Sequence, residues 1–382
     1  MNQLKNKKIC FVATIPAVVD SFLRPHIALI SNDFEVTVIC NAQNKELLEG
    51  INARFLFLPL VRRPSILKDL GVLFILIKLF HNEKFYIVHS IMPKTGLLAM
   101  MASFFNMVPI RIHTFTGQVW VTKKGIGRFL LKFFDKAIGV LSTLAIVDSP
   151  SQKTFLVKEK VIPEKKALVI GAGSICGVDP NRFKQDLIVR SSVREEFDIP
   201  LESRVLLFLG RLNRDKGVLD LSYAFCAVAR DHHDVRLILV GAEEDVTFKQ
   251  IQAICFEFAD RLTYVPHTKL PERLMMASDI FCLPSYREGF GMTIIEAAAC
   301  QVPTVATKIY GITDAVEDGE TGLLFPVADI KTFVESLTRL LDNPELRKKM
   351  GVLSRARVIN LFSEYRITTG LFELYRDLIA QQ

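Results

Sequence analysis

The chain has 382 residues, of which 50% are hydrophobic, 9% aromatic and 23% charged, a composition that excludes a disordered or low-complexity protein. At about 100 to 200 residues per domain this length predicts two domains, each able to bury a core without disulfide or metal staples. The net charge of +7 is unevenly divided, because residues 1–182 carry 24 Lys and Arg against 12 Asp and Glu (+12) and residues 183–382 carry 24 against 29 (−5).

The chain opens with a basic segment, Lys5 to Lys8, before an apolar run. Pro16 interrupts that run and no small-residue cleavage pattern precedes Asp20, so residues 8–14 read as a first buried strand rather than a secretion signal. Short apolar runs at 35–40, 53–58, 86–90, 110–114 and 144–149 read as further strands separated by helix-length segments. The same rhythm restarts with strands at 205–209, 235–240, 262–265, 280–283 and 302–306. Helices are predicted between them at 215–230, 271–277, 292–300 and 330–341. No apolar segment reaches the roughly 18 residues needed to span a bilayer.

This alternation predicts an α/β protein with two doubly wound parallel sheets. The polar stretch 181–203, ending in Ile199-Pro200, reads as the joint. It predicts domains at 1–182 and 183–362, with a terminal helix near 363–382 returning to the first. Ligands of such sheets bind beyond the carboxyl ends of the strands, which makes a cleft between facing domains the expected site. The seven cysteines contain no Cys-x-x-Cys pair and read as buried reduced thiols, with no metal site.

Two stretches carry chemistry. In the first, a buried strand ends at Gly210 and a loop containing Arg211, Arg214 and Lys216 opens the next helix. Arg211 and Lys216, projecting at the strand's carboxyl end, suit a diphosphate on which charge develops as it leaves. In the second, Glu288-Gly289-Phe290-Gly291-Met292 leads into an almost wholly apolar helix that carries Glu296. The glycines permit close backbone approach, and the helix start near Met292 offers amides to an anion. A carboxylate such as Glu296 is costly among apolar neighbours without a partner, and carboxylates accept hydrogen bonds from paired sugar hydroxyls.

Glu288 and Glu296 around Gly289-Phe290-Gly291, with Gly210-Arg211, Lys216-Gly217 and the downstream Asp318-Gly319-Glu320-Thr321-Gly322, resemble the retaining GT-B glycosyltransferases of family 4. The resemblance covers most of the chain. The segments 173–183 and 113–120 resemble more narrowly the bacterial enzymes of capsule, O-antigen and lipid-linked oligosaccharide assembly. The resemblance implies a GT-B fold, two Rossmann-like domains across a cleft. It implies that Arg211, Lys216 and the amides of Gly289 to Met292 hold the donor diphosphate, that Glu296 binds the ribose and that Glu288 binds the transferred sugar. It implies no metal and no cofactor beyond the nucleotide-sugar substrate, expected to be a UDP-sugar.

A catalytic pocket histidine is also implied, for which His113 is the nearest candidate, with Thr116 as the alternative occupant of that position and a core role as the alternative for His113. The family's Gly-Gly pair after the first strand is missing from residues 14–24, so contacts there fall to side chains such as Ser21 or Arg24. The acceptor belongs to the first domain in this resemblance, which gives the basic half a partner. Arg62, Arg63, Lys68, Lys78, Lys123, Lys124, Arg128 and Lys132 flank apolar segments and suit an anionic membrane surface; the alternative is that these apolar faces pack on the sheet and the lysines are solvated.

These features predict a peripheral enzyme on the inner face of the cell membrane, moving a hexose or N-acetylhexosamine to an undecaprenyl-diphosphate-linked sugar. A nucleotide-sugar epimerase or another GT-B enzyme is the alternative. A nucleic-acid-binding protein is disfavoured because no reading module or interleaved aromatic pattern accompanies the basic residues.

Overall fold

Parallel strands with buried hydrophobic faces dominate the computed structural model, which describes residues 7–61 and 65–382. The chain divides into two units, Met1–Gly177 with Glu364–Gln382, and Val178–Ser363.

Among the described residues the first unit holds seven strands: β1 (Lys8–Val12), β2 (Glu35–Cys40), β3 (Arg54–Phe57), β4 (Ile87–Ile91), β5 (Ile110–Phe115), β6 (Leu144–Val147) and β7 (Ala167–Leu168). Their order is β3-β2-β1-β4-β5-β6-β7, and every pairing is parallel. Its helices are α1 (Pro16–Val18), α2 (Arg24–Ile30), α3 (Ile66–Glu83), α4 (Pro93–Phe105), α5 (Gly125–Leu141) and α6 (Pro150–Lys158). One face of the sheet forms a core with residues of α3, α4, α5 and α6, including Leu76, Phe80, Met100 and Leu156. The other forms a core with α2, including Ile27 and Ile30.

The second unit starts with α7 (Leu187–Glu196), then β8 (Arg204–Leu209), α8 (Val218–Asp231), β9 (Val235–Val240), α9 (Phe248–Ile254), β10 (Leu262–Val265) and α10 (Pro271–Met276). It continues through β11 (Ile280–Leu283), α11 (Met292–Ala299), β12 (Thr304–Thr307), α12 (Ile312–Ala315), β13 (Gly322–Phe325), α13 (Ile330–Asp342) and α14 (Pro344–Leu361). The strand order is β10-β9-β8-β11-β12-β13, again parallel throughout.

The final helix, α15 (Glu364–Ala380), belongs to the first unit. It buries Ile367, Leu371 and Tyr375 in the core beside α2. Tyr375 Oη lies 2.5 Å from His89 Nδ1, and His89 Nε2 lies 2.7 Å from Thr114 Oγ1, so a buried polar chain ties α15 to β4 and β5.

Two features depart from the sequence reading. The stretch 181–203 contains α7, whose Arg194 is buried and paired with Asp279 at 2.8 Å, so it is integral to the second unit. The division falls between Gly177 and Val178 because Val178 already bridges to Ser363 and donates to the Phe362 carbonyl at 2.9 Å. β7, of two residues, is too short for alternation to reveal, and β13 opens on Gly322 and shows an apolar run of only three residues. Six of the seven cysteines are buried, and Cys226 is half-buried.

Candidate functional site

In the second unit the two predicted stretches meet at the carboxyl ends of β8 and β11. After β8, Gly210, Arg211 and Asn213 lead into a single 3-10 turn, Arg214–Lys216, where Asn213 Oδ1 accepts the Lys216 amide at 2.8 Å. Gly217 follows with φ +69°, and a Cβ there would lie 2.0 Å from the Pro284 carbonyl oxygen. Only glycine lets this turn press against the loop after β11. The predicted helix 215–230 therefore starts later, at Val218.

Side chains then join the two loops. Lys216 Nζ donates to Glu288 Oε1, which also accepts from Ser285 Oγ at 3.0 Å. Arg287 Nε donates to Asp215 Oδ2 at 2.8 Å and the Tyr286 amide to the Asp215 carbonyl at 2.8 Å. Tyr286 Oη donates to Asp220 Oδ2 at 2.7 Å, and burial with that carboxylate pushes the phenol up to about 12. Glu288 lies in the loop, as the sequence predicts, and its side chain is 12% exposed.

Gly289, Phe290 and Gly291 are buried, and the Phe290 ring packs edge-on against Phe362 at 5.1 Å, so Phe290 contributes backbone to the site and its side chain to the core. Gly291 caps α11 with φ 88°, leaving Met292 as its first residue. Glu296, one turn on, is partly buried. Burial pushes its carboxyl up to about 7; Arg182 opposes the shift and Glu272 adds to it.

Sequence reasoning missed Glu244. Both its carboxylate oxygens accept from Arg211 Nη1, at 2.6 and 2.5 Å, and Oε2 also accepts from Asn213 Nδ2. Arg211 and Glu244 are about 40% exposed, so this pair is worth little in stability. It holds the guanidinium beside the Lys216 turn. The acidic run Glu243-Glu244-Asp245 carries no motif, and the role of Glu244 depends on β9 lying next to β8.

In the first unit the predicted residues do not converge on one another. His113, on β5, is 1% exposed. Its Nδ1 lies 2.8 Å from Ser90 Oγ and its ring packs on Phe115 at 4.6 Å. A Cβ at Gly96 would stand 2.3 Å from His113 Cε1, so α4 closes over the ring. Burial pushes the imidazole down to about 3, which makes it a neutral, hydrogen-bonded core ring in this arrangement. Thr116, just beyond β5, is less buried, and its carbonyl accepts from Gln152 Nε2 at 2.9 Å.

Arg24 is committed internally, donating to Asp20 at 2.8 Å, the Glu49 carbonyl at 2.9 Å and the Leu47 carbonyl at 2.7 Å. Lys123 and Lys124 are exposed at the start of α5. Arg62 and Arg63 lie outside the described residues.

Helices α3 and α5 of this unit are apolar on their outward faces as well as their inward ones. On α3, Ile66, Leu67 and Phe74 are 79%, 85% and 69% exposed, and on α5, Ile126, Phe129 and Phe133 are 78%, 69% and 55% exposed. Phe104, Phe105 and Met107, at the end of α4 between them, are exposed too. Among the described residues no helix is long and apolar enough to cross a membrane.

Residues 189–357 match the family described as Glycosyl transferases group 1, and residues 26–182 match Glycosyltransferase Family 4. The chain is 29% identical over 380 residues to the Staphylococcus aureus capsular polysaccharide biosynthesis glycosyltransferase CapM, covering 99% of each. It is 26% identical over 365 residues to an Escherichia coli UDP-Gal:α-D-GlcNAc-diphosphoundecaprenol α-1,3-galactosyltransferase, covering 93% of this chain and 92% of that one. Among solved structures, a sucrose-phosphate synthase from Thermosynechococcus elongatus matches with TM-score 0.85 at 20% identity over 99% of this chain and 100% of that one. Anabaena HepE in complex with UDP-glucose matches with TM-score 0.80 at 19% identity, over 97% and 99%. These structural likenesses show the fold, which is GT-B.

Proposed function

Because the chain belongs to the group 1 glycosyltransferases of family 4, we propose that it transfers a hexose or N-acetylhexosamine from a UDP-sugar, with retention, to an undecaprenyl-diphosphate-linked sugar in surface polysaccharide assembly. The observation that carries the donor half is the Lys216–Glu288 pair, held where the loops after β8 and β11 meet. A cation beside the start of α11 can take charge from a departing diphosphate without proton transfer. In this reading Arg211, Lys216 and the Gly289 to Met292 amides hold the diphosphate. Glu296 accepts from the ribose hydroxyls, and Glu288, oriented by Lys216 and Ser285, accepts from the transferred sugar. The bond from the anomeric carbon to the diphosphate oxygen breaks as the bond to the acceptor oxygen forms on the same face, and the residues named require no metal.

The acceptor half draws support from two relatives: the curated Escherichia coli enzyme, whose name specifies a diphosphoundecaprenol acceptor, and the Staphylococcus aureus enzyme, whose name specifies capsule synthesis. The outward apolar residues of α3, α4 and α5, with Lys123 and Lys124 beside them, suit docking at the inner face of the cell membrane, where the lipid acceptor resides. Thermal denaturation with a panel of nucleotide sugars tests the donor assignment. A donor at 100 times its dissociation constant stabilises by about 2.7 kcal/mol. A UDP-sugar is expected to raise the melting temperature of the wild type and not of Lys216→Ala. Equal shifts for both proteins would remove Lys216 from the site.

A further inference from the structure

We propose that Cys226 and Cys255 are a peroxide-sensitive dithiol, a modification site at which oxidation forms a disulfide that clasps α8 to the segment following α9. Cys226 lies about two turns into α8, and Cys255 closes α9 and opens the 3-10 segment Phe256–Arg261. Each thiol reaches the backbone beside the other cysteine. Cys226 Sγ donates to the Ile254 carbonyl at 3.6 Å, and Cys255 Sγ donates at 3.5 Å to the carbonyl of Ser222, one turn before Cys226. Two further contacts fix the same alignment: the Phe225 and Phe258 rings meet edge-on at 6.5 Å, and Arg230 Nη2 lies 3.9 Å from Glu257 Oε2.

The two thiols are unequal. Cys226 is half-buried and Cys255 fully buried, so an oxidant from solvent meets Cys226 first. The Cys255 thiol, which touches Cys226 and can donate to its thiolate, holds the Cys226 thiol below its ordinary range together with the Arg230 cation, against burial and the Glu257 charge. The thiolate is the form that attacks peroxide. The same contact with Cys226, with burial, pushes the Cys255 thiol up, which keeps it protonated in the reduced pair. Elsewhere, Cys10 and Cys40 lie in the opposite cores of the first sheet. Burial pushes the Cys300 thiol up to about 12 and the Cys282 thiol up as well, which keeps both neutral.

Hydrogen peroxide is the oxidant, and the steps balance with it alone. The Cys226 thiolate attacks one peroxide oxygen, the O–O bond breaks, and the departing hydroxide takes up the proton the thiol had released, giving a sulfenic acid and water. The Cys255 sulfur then attacks the Cys226 sulfur and the S–O bond breaks. The leaving hydroxide takes the Cys255 thiol proton as a second water. Two thiols are oxidised and one peroxide is reduced. The new bond closes the loop from Cys226 to Cys255, which restricts the unfolded chain and stabilises the second unit. α8 also carries Asp220, which accepts from Tyr286 Oη at 2.7 Å, so the clasp secures a helix on which the loop after β11 rests.

The test exposes the full chain to hydrogen peroxide, alkylates it under denaturing conditions and maps its peptides by mass. The expected product is a peptide pair joined through Cys226 and Cys255, lighter by two hydrogens and separated again by dithiothreitol. The oxidised protein is expected to melt at least about 5 °C above the reduced one. Cys226→Ser should lose both the cross-link and the shift. Cys255→Ser should leave a sulfenic acid at Cys226 that dimedone captures, with near-ultraviolet circular dichroism as the check that each variant folds. Four results would overturn the proposal: no cross-link at peroxide levels that oxidise free cysteine, overoxidation of Cys226 in its place, pairing of Cys226 with another cysteine or a second chain, or a cross-link that leaves the melting temperature unchanged.

Discussion

Replacing Phe129 and Phe133 together by serine should detach the protein from anionic membranes without unfolding it. The two rings are 69% and 55% exposed on α5. At about 200 Å² per ring they offer roughly 250 Å² of apolar surface, worth at most about 6 kcal/mol on full transfer from water. Insertion to the headgroup boundary realises about half of that, so the double substitution should cost about 3 kcal/mol, or roughly a hundredfold in partitioning. Neither ring supports the core on which α5 packs through Ile138, so stability should change by less than about 1 kcal/mol. Sedimentation with phosphatidylglycerol vesicles, alongside nucleotide binding in solution, separates the two effects. Wild-type binding that fails to appear, or vesicle binding by the double variant equal to that of the wild type, would refute a lipid-facing α5.

Lys123→Glu with Lys124→Glu should weaken the same binding and reduce its salt dependence, since each lysine near an anionic surface contributes about 1 kcal/mol; unchanged salt sensitivity would place the charge contact elsewhere. Asp135 is buried against Trp120 Nε1 at 2.8 Å, and burial pushes its carboxyl up to about 7. A folded-state pKa raised above the ordinary carboxylate value means that stability is lost as pH rises from about 4 to 7. Asp135→Asn, which keeps an acceptor for Trp120, should therefore raise the melting temperature at pH 8 and leave it unchanged at pH 4. Gly217→Ala combines a left-handed φ with a clash on the Pro284 carbonyl and should cost more than about 2 kcal/mol in urea unfolding; a near-wild-type midpoint would contradict the close approach of the two loops.

Much of this architecture is legible in the chain. The strands with continuous apolar runs, such as 205–209 and 235–240, carry enough buried side chains to identify themselves. The loop glycines and the paired Glu288 and Glu296 announce the candidate donor site. What escapes is whatever depends on strands meeting across the sheet. Glu244 reaches Arg211 because β9 neighbours β8, and Arg182 reaches Glu272 across 90 residues. For His113 the sequence leaves both a pocket and a core role open, because a strand histidine carries no mark of burial, and Gly96 on α4 shows how closely the ring is covered. Arg24, read as a contact for a ligand, spends its donors on Asp20 and two carbonyls of its own unit.

The central claim is retaining transfer from a UDP-sugar to a lipid diphosphate acceptor. Its most direct measurement is incubation of the protein with each UDP-hexose and UDP-N-acetylhexosamine and a prenyl-diphosphate-linked N-acetylhexosamine, with the lipid product read by mass and by the anomeric coupling of the new linkage. The account predicts one added sugar from a single donor, joined in the α configuration of that donor, and loss of the product with Lys216→Ala. A β linkage, or no lipid product from any UDP-sugar, would contradict it.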